Sequence, residues 1–443
     1  MTKNDTSKPR RRPVTPNSLS PELDAYLDTL AAQAAGRPLS ESLAAGSPFA
    51  QLVGRFVELA YQHEMDEHLG YPAHARNPDG APQRTNARNG SSSKTLKTSH
   101  GPIEVRVPRD RDSSFEPRVV PKHQRVTDEV ETRVLALYAK GMSTRELREQ
   151  IAALYNLDVD ADFVTRLLDK VEPELVEWRS RPLERLYPIV FIDAIHLKVR
   201  HSHGVDPTAV YLVSGYGESG RMGVLGVYMA PEGQTAESAS FWHQVLVELQ
   251  RRGADDLLMV CADGLTGLEQ AVSAAYPKAR FQPCVVHMVR ASMRQVSQKE
   301  RGRLGAALRE IYQAPSFEAA GQAVVKLEQE WGAKHPGVVR QWKSDLGRLE
   351  NLWSYGKALR KLVYTTNPIE NTNRQVRKVV KTKGAMPSVR SALTLVTMVL
   401  RDVDVKAQAK KNPRPDWVAI LSELHIHFPD RLPKDWGFRF LET

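Results

Sequence analysis

Cysteine is nearly absent from this 443-residue chain, in which Cys261 and Cys284 are the only two. That excludes a disulfide framework and suits a reducing cytosol. No uninterrupted apolar stretch reaches the roughly 20 residues that cross a bilayer. No apolar run follows the basic residues at the N-terminus, so a signal peptide is not expected either. Acidic residues are scarce in one place. Between residues 353 and 411, three acids (Glu370, Asp402 and Asp404) face thirteen Lys or Arg, an excess of ten that equals the formal charge of the whole chain, +10. A solvated helix face usually mixes signs, whereas a localised cationic stripe is the electrostatic footprint of a polyanion. Nucleic acid is therefore the expected partner.

The rest of the composition is that of an ordinary globular protein of two or three domains, 41% hydrophobic and 26% charged. Residues 1–20 are polar, basic and Pro-containing, and residues 1–48 are expected to form a disordered basic tail. A helix is expected near Phe49–Leu69, then a Gly/Asn/Pro/Ser-rich loop from Tyr71 to about Ser93. "KTLKTSHGPIEVRVPRD" alternates around a His-Gly-Pro turn and reads as a hairpin. Three helical patterns follow between Thr127 and Val171, with Gly141 closing the first and Ser143 capping the second. They make a helix-turn-helix candidate, although any small helical bundle shows the same periodicity.

From Tyr187 the period changes. "PIVFIDAIHLKVR", "TAVYLVSGYG" and "RMGVLGVYMA" are three strand-like runs, followed by an amphipathic helix, the strand "DLLMVCAD", a second helix and the strand "RFQPCVVH". Three meandering strands and then alternating helices and strands predict a mixed sheet in an α/β domain. Residues 288–362 read as almost wholly helical and hold Trp331, Trp342 and Trp353, and helix resumes from Thr365 to about Val405.

Three carboxylates stand out. Strand alternation puts Asp193 on one face with Ile189, Phe191, Ile195, Leu197 and Val199, while His196 and Lys198 point the other way. An unpaired carboxylate there would cost several kcal/mol or take up a proton, so a metal ion or a catalytic role is the better account. Asp263 ends its strand, where α/β sheets place ligands, but an Asp-Gly pair is also a common turn and helix cap. Glu370 is the single acid among eight Lys or Arg between residues 357 and 383. It falls three residues after Asn367, with Pro368 between them, and fits a variant capping box. A helix from Pro368 would also align Glu370 with Arg374, Arg377, Lys378 and Lys381, a metal-binding carboxylate followed by a row of phosphate-binding cations. The two roles are compatible. An Asp–Asp–Glu set supplies the oxygen-only ligands that two hard divalent cations need.

From about Phe49 to Leu400 the chain resembles the bacterial Mutator-type transposases. The stretches that carry the resemblance are "MDEHLGY", "KTLKTSHGPIEVRVPRDRDSSFEPRVVPK", "YPIVFIDAIHLKVR", "VCADGLTGL", "CVVHMVRASMRQVS" and "VYTTNPIENTNRQVRKVVKTKGAMPS". The resemblance implies a ribonuclease-H-like mixed sheet (181–298 and 363–405), interrupted by a helical insertion at 299–362. A mainly helical DNA-binding region with a helix-turn-helix (49–180) precedes it, and a C-terminal tail (406–443) follows. It implies a catalytic, metal-binding triad of Asp193, Asp263 and Glu370 with two Mg²⁺ or Mn²⁺ ions. DNA would be the partner, as terminal inverted repeats and target; a homodimer would join two ends, in the cytoplasm with the nucleoid. Cys284-x-x-His287 alone suggests half a zinc site, but the remaining ligands are missing. The family carries a Cys/Asp-x-x-His element here, which implies that His287 touches the scissile phosphate and leaves Cys284 a structural or phosphate-binding role. A buried histidine satisfied by backbone is an equal alternative for His287. Two rival readings are a ribonuclease-H-like nuclease without strand transfer and a helix-turn-helix regulator on a dead nuclease fold.

Overall fold

The computed structural model describes residues 21–36, 46–77, 79, 84–98, 101–122, 124, 126–155, 159–160, 162–230, 238–364, 367–410, 412, 414–433 and 436. Residues 1–20, expected to be disordered, lie outside these. The chain divides into two compact units, Met1–Val134 with Leu147–Ala161, and Leu135–Glu146 with Asp162–Thr443.

In the first unit, helix α1 (Pro21–Ala34) stands where a disordered basic tail was expected, in a stretch with no Lys or Arg that is rich in the helix formers Leu and Ala. Helix α2 (Pro48–Leu69) starts where Ser47 Oγ accepts from the Ala50 N–H and ends at Gly70 in the left-handed region, φ 78°. Its stripe of Ala50, Gly54, Val57, Tyr61 and Met65 is buried, part of it on an antiparallel hairpin of β1 (Arg88–Thr98) and β2 (Gly101–Asp110) that contributes Leu96, Ile103 and Val105. The two strands pair as the hairpin reading expected, while Ser99 and His100 at the expected turn lie outside the described residues. Strand β1 begins earlier than expected, because the serines at 91–93 pair across to Arg106–Pro108 instead of forming loop.

Helices α3 (Asp128–Ala139) and α4 (Thr144–Tyr155) cross the boundary between the units. Gly141 between them has φ +102°, as a helix-closing glycine should. Ser143 and Glu146 form a reciprocal capping box: Ser143 Oγ accepts from the Glu146 N–H at 3.2 Å, and Glu146 Oε2 accepts from the Ser143 N–H at 2.7 Å.

The second unit is built on a five-stranded mixed sheet of β3 (Leu186–His201), β4 (Gly204–Tyr216), β5 (Met222–Met229), β6 (Asp256–Ala262) and β7 (Arg280–Pro283), in the order β5-β4-β3-β6-β7. β3, β4 and β5 pair antiparallel, while β6 and β7 run parallel to β3. One face is covered by α6 (Ala239–Arg251) and α7 (Leu268–Ala275), which bury Trp242, Leu246, Leu249, Leu268 and Val272 against Val190, Ile192, Tyr211 and Val260. After α8 (Val285–Arg294) the chain is helical through α9 (Arg301–Tyr312), α10 (Phe317–Trp331), α11 (Pro336–Asp345), α12 (Asn351–Ser354) and α13 (Lys357–Tyr364). Trp342 is wholly buried there, with its indole N–H on Ser292 Oγ at 2.9 Å, and Trp331 is 3% exposed; both are core residues. The opposite face of the sheet carries α14 (Asn367–Lys383) and α15 (Val389–Gln408). Between them Met386 bridges to Val199, exchanging backbone hydrogen bonds with Lys198 and Arg200.

Helix α5 (Phe163–Ser180), grouped by sequence with the DNA-binding region, lies in this second unit. Its Glu172 and Asp169 meet Thr394 and Arg390 of α15, which explains the placement. The last stretch, expected as a tail, folds into α16 (Trp417–His427). Trp417, Ile420, Leu421 and Leu424 are buried, and the Trp417 ring stacks on Tyr216 at 5.4 Å.

Candidate active site

The register of the sheet assembles the first two carboxylates. Ile192 of β3 is paired in parallel with Ala262, the last residue of β6, and the next residue along each segment is an aspartate, Asp193 within β3 and Asp263 just past β6. Neighbouring strands lie about 4.8 Å apart, which sets the two carboxylates side by side where β6 ends. Ala262 in turn faces Pro283 of β7, and the Cys284 N–H donates to the Ala262 carbonyl at 2.7 Å. That bond ends β7 and starts α8 at Val285, so "RFQPCVVH" is strand only to Pro283. His287 is therefore on the first turn of a helix, not in a strand, and its ring is turned back over the strand ends.

His287 links the two aspartates. Its Nε2 is 3.6 Å from Asp193 Oδ1 and its Nδ1 is 3.8 Å from Asp263 Oδ2. Asp193 is 5% exposed, on the sheet face against which α14 packs, whereas the Asp263 side chain is about half exposed. Burial pushes the Asp193 carboxyl above the usual carboxylate range; the nearby His287 and Arg377 charges and the Ala194 N–H oppose this, and Asp263 adds to it. The Ala194 N–H donates to Asp193 Oδ1 at 2.8 Å, and the Gly264 N–H donates to Asp263 Oδ1 at 2.8 Å. The exposed His196 and Lys198 stay on the opposite face of β3, as alternation requires.

The third carboxylate is close by but engaged elsewhere. Asn373 of α14 is fully buried, and its side-chain N–H donates to Asp193 Oδ2. Glu370 lies one turn before Asn373 on the same helix, and its carboxylate forms an ion pair with Arg290 of α8. The helix begins at Asn367, but the side chains of the expected cap, Asn367 and Pro368, lie outside the described residues. Arg374, Arg377, Lys378 and Lys381 are all exposed on α14. Among the described residues none of the four has a carboxylate within ion-pair distance; Arg374 instead donates to Asn371 Oδ1 at 3.0 Å.

The donor set is the hard, all-oxygen kind that suits Mg²⁺ or Mn²⁺. Asp193 and Asp263 stand on neighbouring strands with the His287 ring against both, and the donor types present fit such an ion if Glu370 leaves Arg290. As the side chains stand, no group of three His, Cys, Asp or Glu among the described residues is close enough together to hold one. Cys284 is buried, and burial pushes its thiol up to about 12; burial raises Cys261 as well. Cys284 stands at the end of β7, where its backbone N–H meets the Ala262 carbonyl.

Two residues of this site were not singled out in the sequence, Asn373 and Arg290. Asn373 follows Glu370 at a spacing of three and Arg290 follows His287 at the same spacing, so helical periodicity from the chosen residues could have found both.

The family model described as "Transposase, Mutator family" matches residues 28–409, starting before Phe49, where the resemblance was expected to begin. The chain is 33% identical to the transposase for insertion sequence element ISRM3 of Rhizobium meliloti, over 90% of this chain and 96% of that protein. It is 34% identical to a probable insertion-sequence transposase of Corynebacterium diphtheriae, over 73% of this chain and 98% of the other. A crystal structure of the Mos1 strand transfer complex covers 51% of this chain and 76% of its own at 16% identity, with a TM-score of 0.16 that bears no weight. No helix among the described residues is long and apolar enough to cross a membrane. The chain belongs to the Mutator family of transposases.

Proposed function

We propose that this protein is the DNA transposase of an insertion sequence, one that binds terminal inverted repeats, cleaves at the 3′ ends and joins them to target DNA. The observation that carries the reading is the buried Asp193 set in register beside Asp263, with one imidazole facing both. A carboxylate kept in an apolar face at this cost is better explained by chemistry than by packing. The strand order, with three antiparallel strands followed by two parallel ones, supports a ribonuclease-H-like catalytic domain, which we read as interrupted by a helical insertion at 299–362.

Asp193, Asp263 and Glu370 would hold two Mg²⁺ or Mn²⁺ ions, which supply activation of the attacking water or 3′-hydroxyl and stabilisation of the leaving oxygen. The chain's own side chains do the remainder. His287, at the centre of the strand ends, can donate to the scissile phosphate. Arg374, Arg377, Lys378 and Lys381 present cations along one side of α14 and hold neighbouring phosphates in line. Recognition of the repeat is assigned to the region before about residue 180, where the capped turn between α3 and α4 supports a helix-turn-helix. Joining two ends at once calls for a homodimer.

The test is a cleavage and joining assay with the full chain on cloned element ends, with and without divalent metal. Metal-dependent nicking followed by strand joining is expected. Cleavage without joining would favour a structure-specific nuclease, and DNA binding without either would favour a regulator.

A further inference from the structure

We propose that Arg290 is the resident counter-ion of Glu370, which a divalent cation must displace, and that the released guanidinium then takes a phosphate oxygen of the DNA. The inference rests on the Asp193–Asp263–Glu370 reading above. As α8 advances from His287 to Arg290, α14 recedes from Asn373 to Glu370. The two helices thus meet Asp193 through His287 and Asn373, and meet each other one turn away through Arg290 and Glu370. Residues three apart on a helix lie about 5–6 Å from each other, so Arg290 stands next to the imidazole that faces both aspartates.

Glu370 has a cation at the usual helical spacing of four, Arg374, and does not use it; Arg374 bonds to Asn371 instead. The carboxylate reaches across to α8. The pair is 40% exposed on the arginine and 28% on the glutamate. A partly exposed ion pair adds little to stability, which makes a purely structural role a weak explanation for it. A guanidinium and a metal ion compete for the same carboxylate oxygens, and only one can hold Glu370 fully. Arginine stays charged at all working pH values, and its planar fork matches phosphate as well as carboxylate. Displaced from Glu370, Arg290 is already beside the place where the scissile phosphate would enter.

The test is Mn²⁺ binding to the full-length protein without DNA, followed by the paramagnetic resonance signal of the free ion. Arg290→Gln should tighten Mn²⁺ binding by roughly two- to fivefold, the scale of a half-exposed ion pair. Glu370→Gln should weaken binding, and adding Arg290→Gln to it should change nothing more. Arg377→Gln removes the same charge away from Glu370, so its effect should persist in the Glu370→Gln background. Parental affinity in Arg290→Gln, or equal tightening with and without Glu370, would overturn the inference while leaving the triad standing. Unchanged binding in Glu370→Gln would overturn the triad reading and this inference together. An uncleavable duplex should then tighten Mn²⁺ binding more in the parent than in Arg290→Gln, because DNA and metal each release Arg290 for the other. Equal tightening in both would remove the phosphate half of the proposal.

Discussion

Asn373 on α14 donates its side-chain N–H to Asp193 on β3, and both residues are buried. That bond fixes how the helix bearing Glu370 sits against the strand bearing the first aspartate. A buried carboxylate that loses a donor keeps its desolvation penalty, about 1–3 kcal/mol or more for a charged group. Asn373→Ala should therefore destabilise the protein by about that amount in urea unfolding. Asn373→Asp should cost more, since it sets a second acid against Asp193. A variant as stable as the parent would mean that the bond does not hold Asp193.

The cationic side of α14 predicts a salt effect. Each phosphate contact contributes about 0.9 to the slope of log K against log salt on duplex DNA. Changing Arg377 and Lys378 to Ala should lower the slope by about 1.8 and weaken binding to all sequences alike. An unchanged slope, or a loss confined to the inverted repeat, would show that these residues do not clamp phosphates.

Gly141 is held by conformation and by space. Its φ is +102°, and a Cβ there would lie 2.5 Å from Thr382 Oγ1 and 2.7 Å from the Val379 carbonyl oxygen. Thr382 also donates to the Gly141 carbonyl at 3.0 Å. Left-handed backbone alone costs an L-residue about 1–2 kcal/mol, and the contacts add to it. Gly141→Ala should lower unfolding free energy by at least that much; a neutral effect would contradict the packing of this turn on α14.

Lys383 gives a pH prediction. Burial holds its amine down to about 7, partly countered by Glu146, and its Nζ is 3.0 Å from the Tyr138 ring centroid. The unfolded chain carries this lysine with a pKa near 10.4 and so binds more protons than the folded one between the two values. Stability should therefore rise with pH from about 7 to about 10. The Tyr138 ring face favours the cation and moves the start of that window upward. Lys383→Met should flatten the rise seen in urea midpoints and stabilise the protein most at the acid end. Parallel profiles for variant and parent would exclude Lys383 as the source.

Much of this was legible because one face of β3 carries a single polar residue among five apolar ones, which marked Asp193, although the strand is buried on both faces as far as Asp193 and alternates only beyond it. The sheet's strands were legible as strand-like runs. The start of α8 was not, since "CVVH" is β-branched and apolar and reads as strand; only the Cys284 bond to Ala262 shows where β7 stops. Helix α16 was missed because its apolar residues surround the helix without a polar face to give it period, and its partners are far away in sequence, at Tyr216 and α13. Arg290 and Asn373 look like any arginine and any asparagine on a helix. Their meaning comes from what lies opposite, which depends on how α8 and α14 cross the strand ends.

The most direct test of the account is Asp193→Asn in a cleavage and joining assay, with binding to the element ends measured alongside. The amide is nearly the same size as the carboxylate but lacks the charge needed for metal binding and phosphoryl transfer. Cleavage and joining should fall below detection while binding to the ends stays close to parental. Substantial Mg²⁺-dependent cleavage by this variant would contradict the assignment of Asp193 as a catalytic carboxylate, and the triad with it.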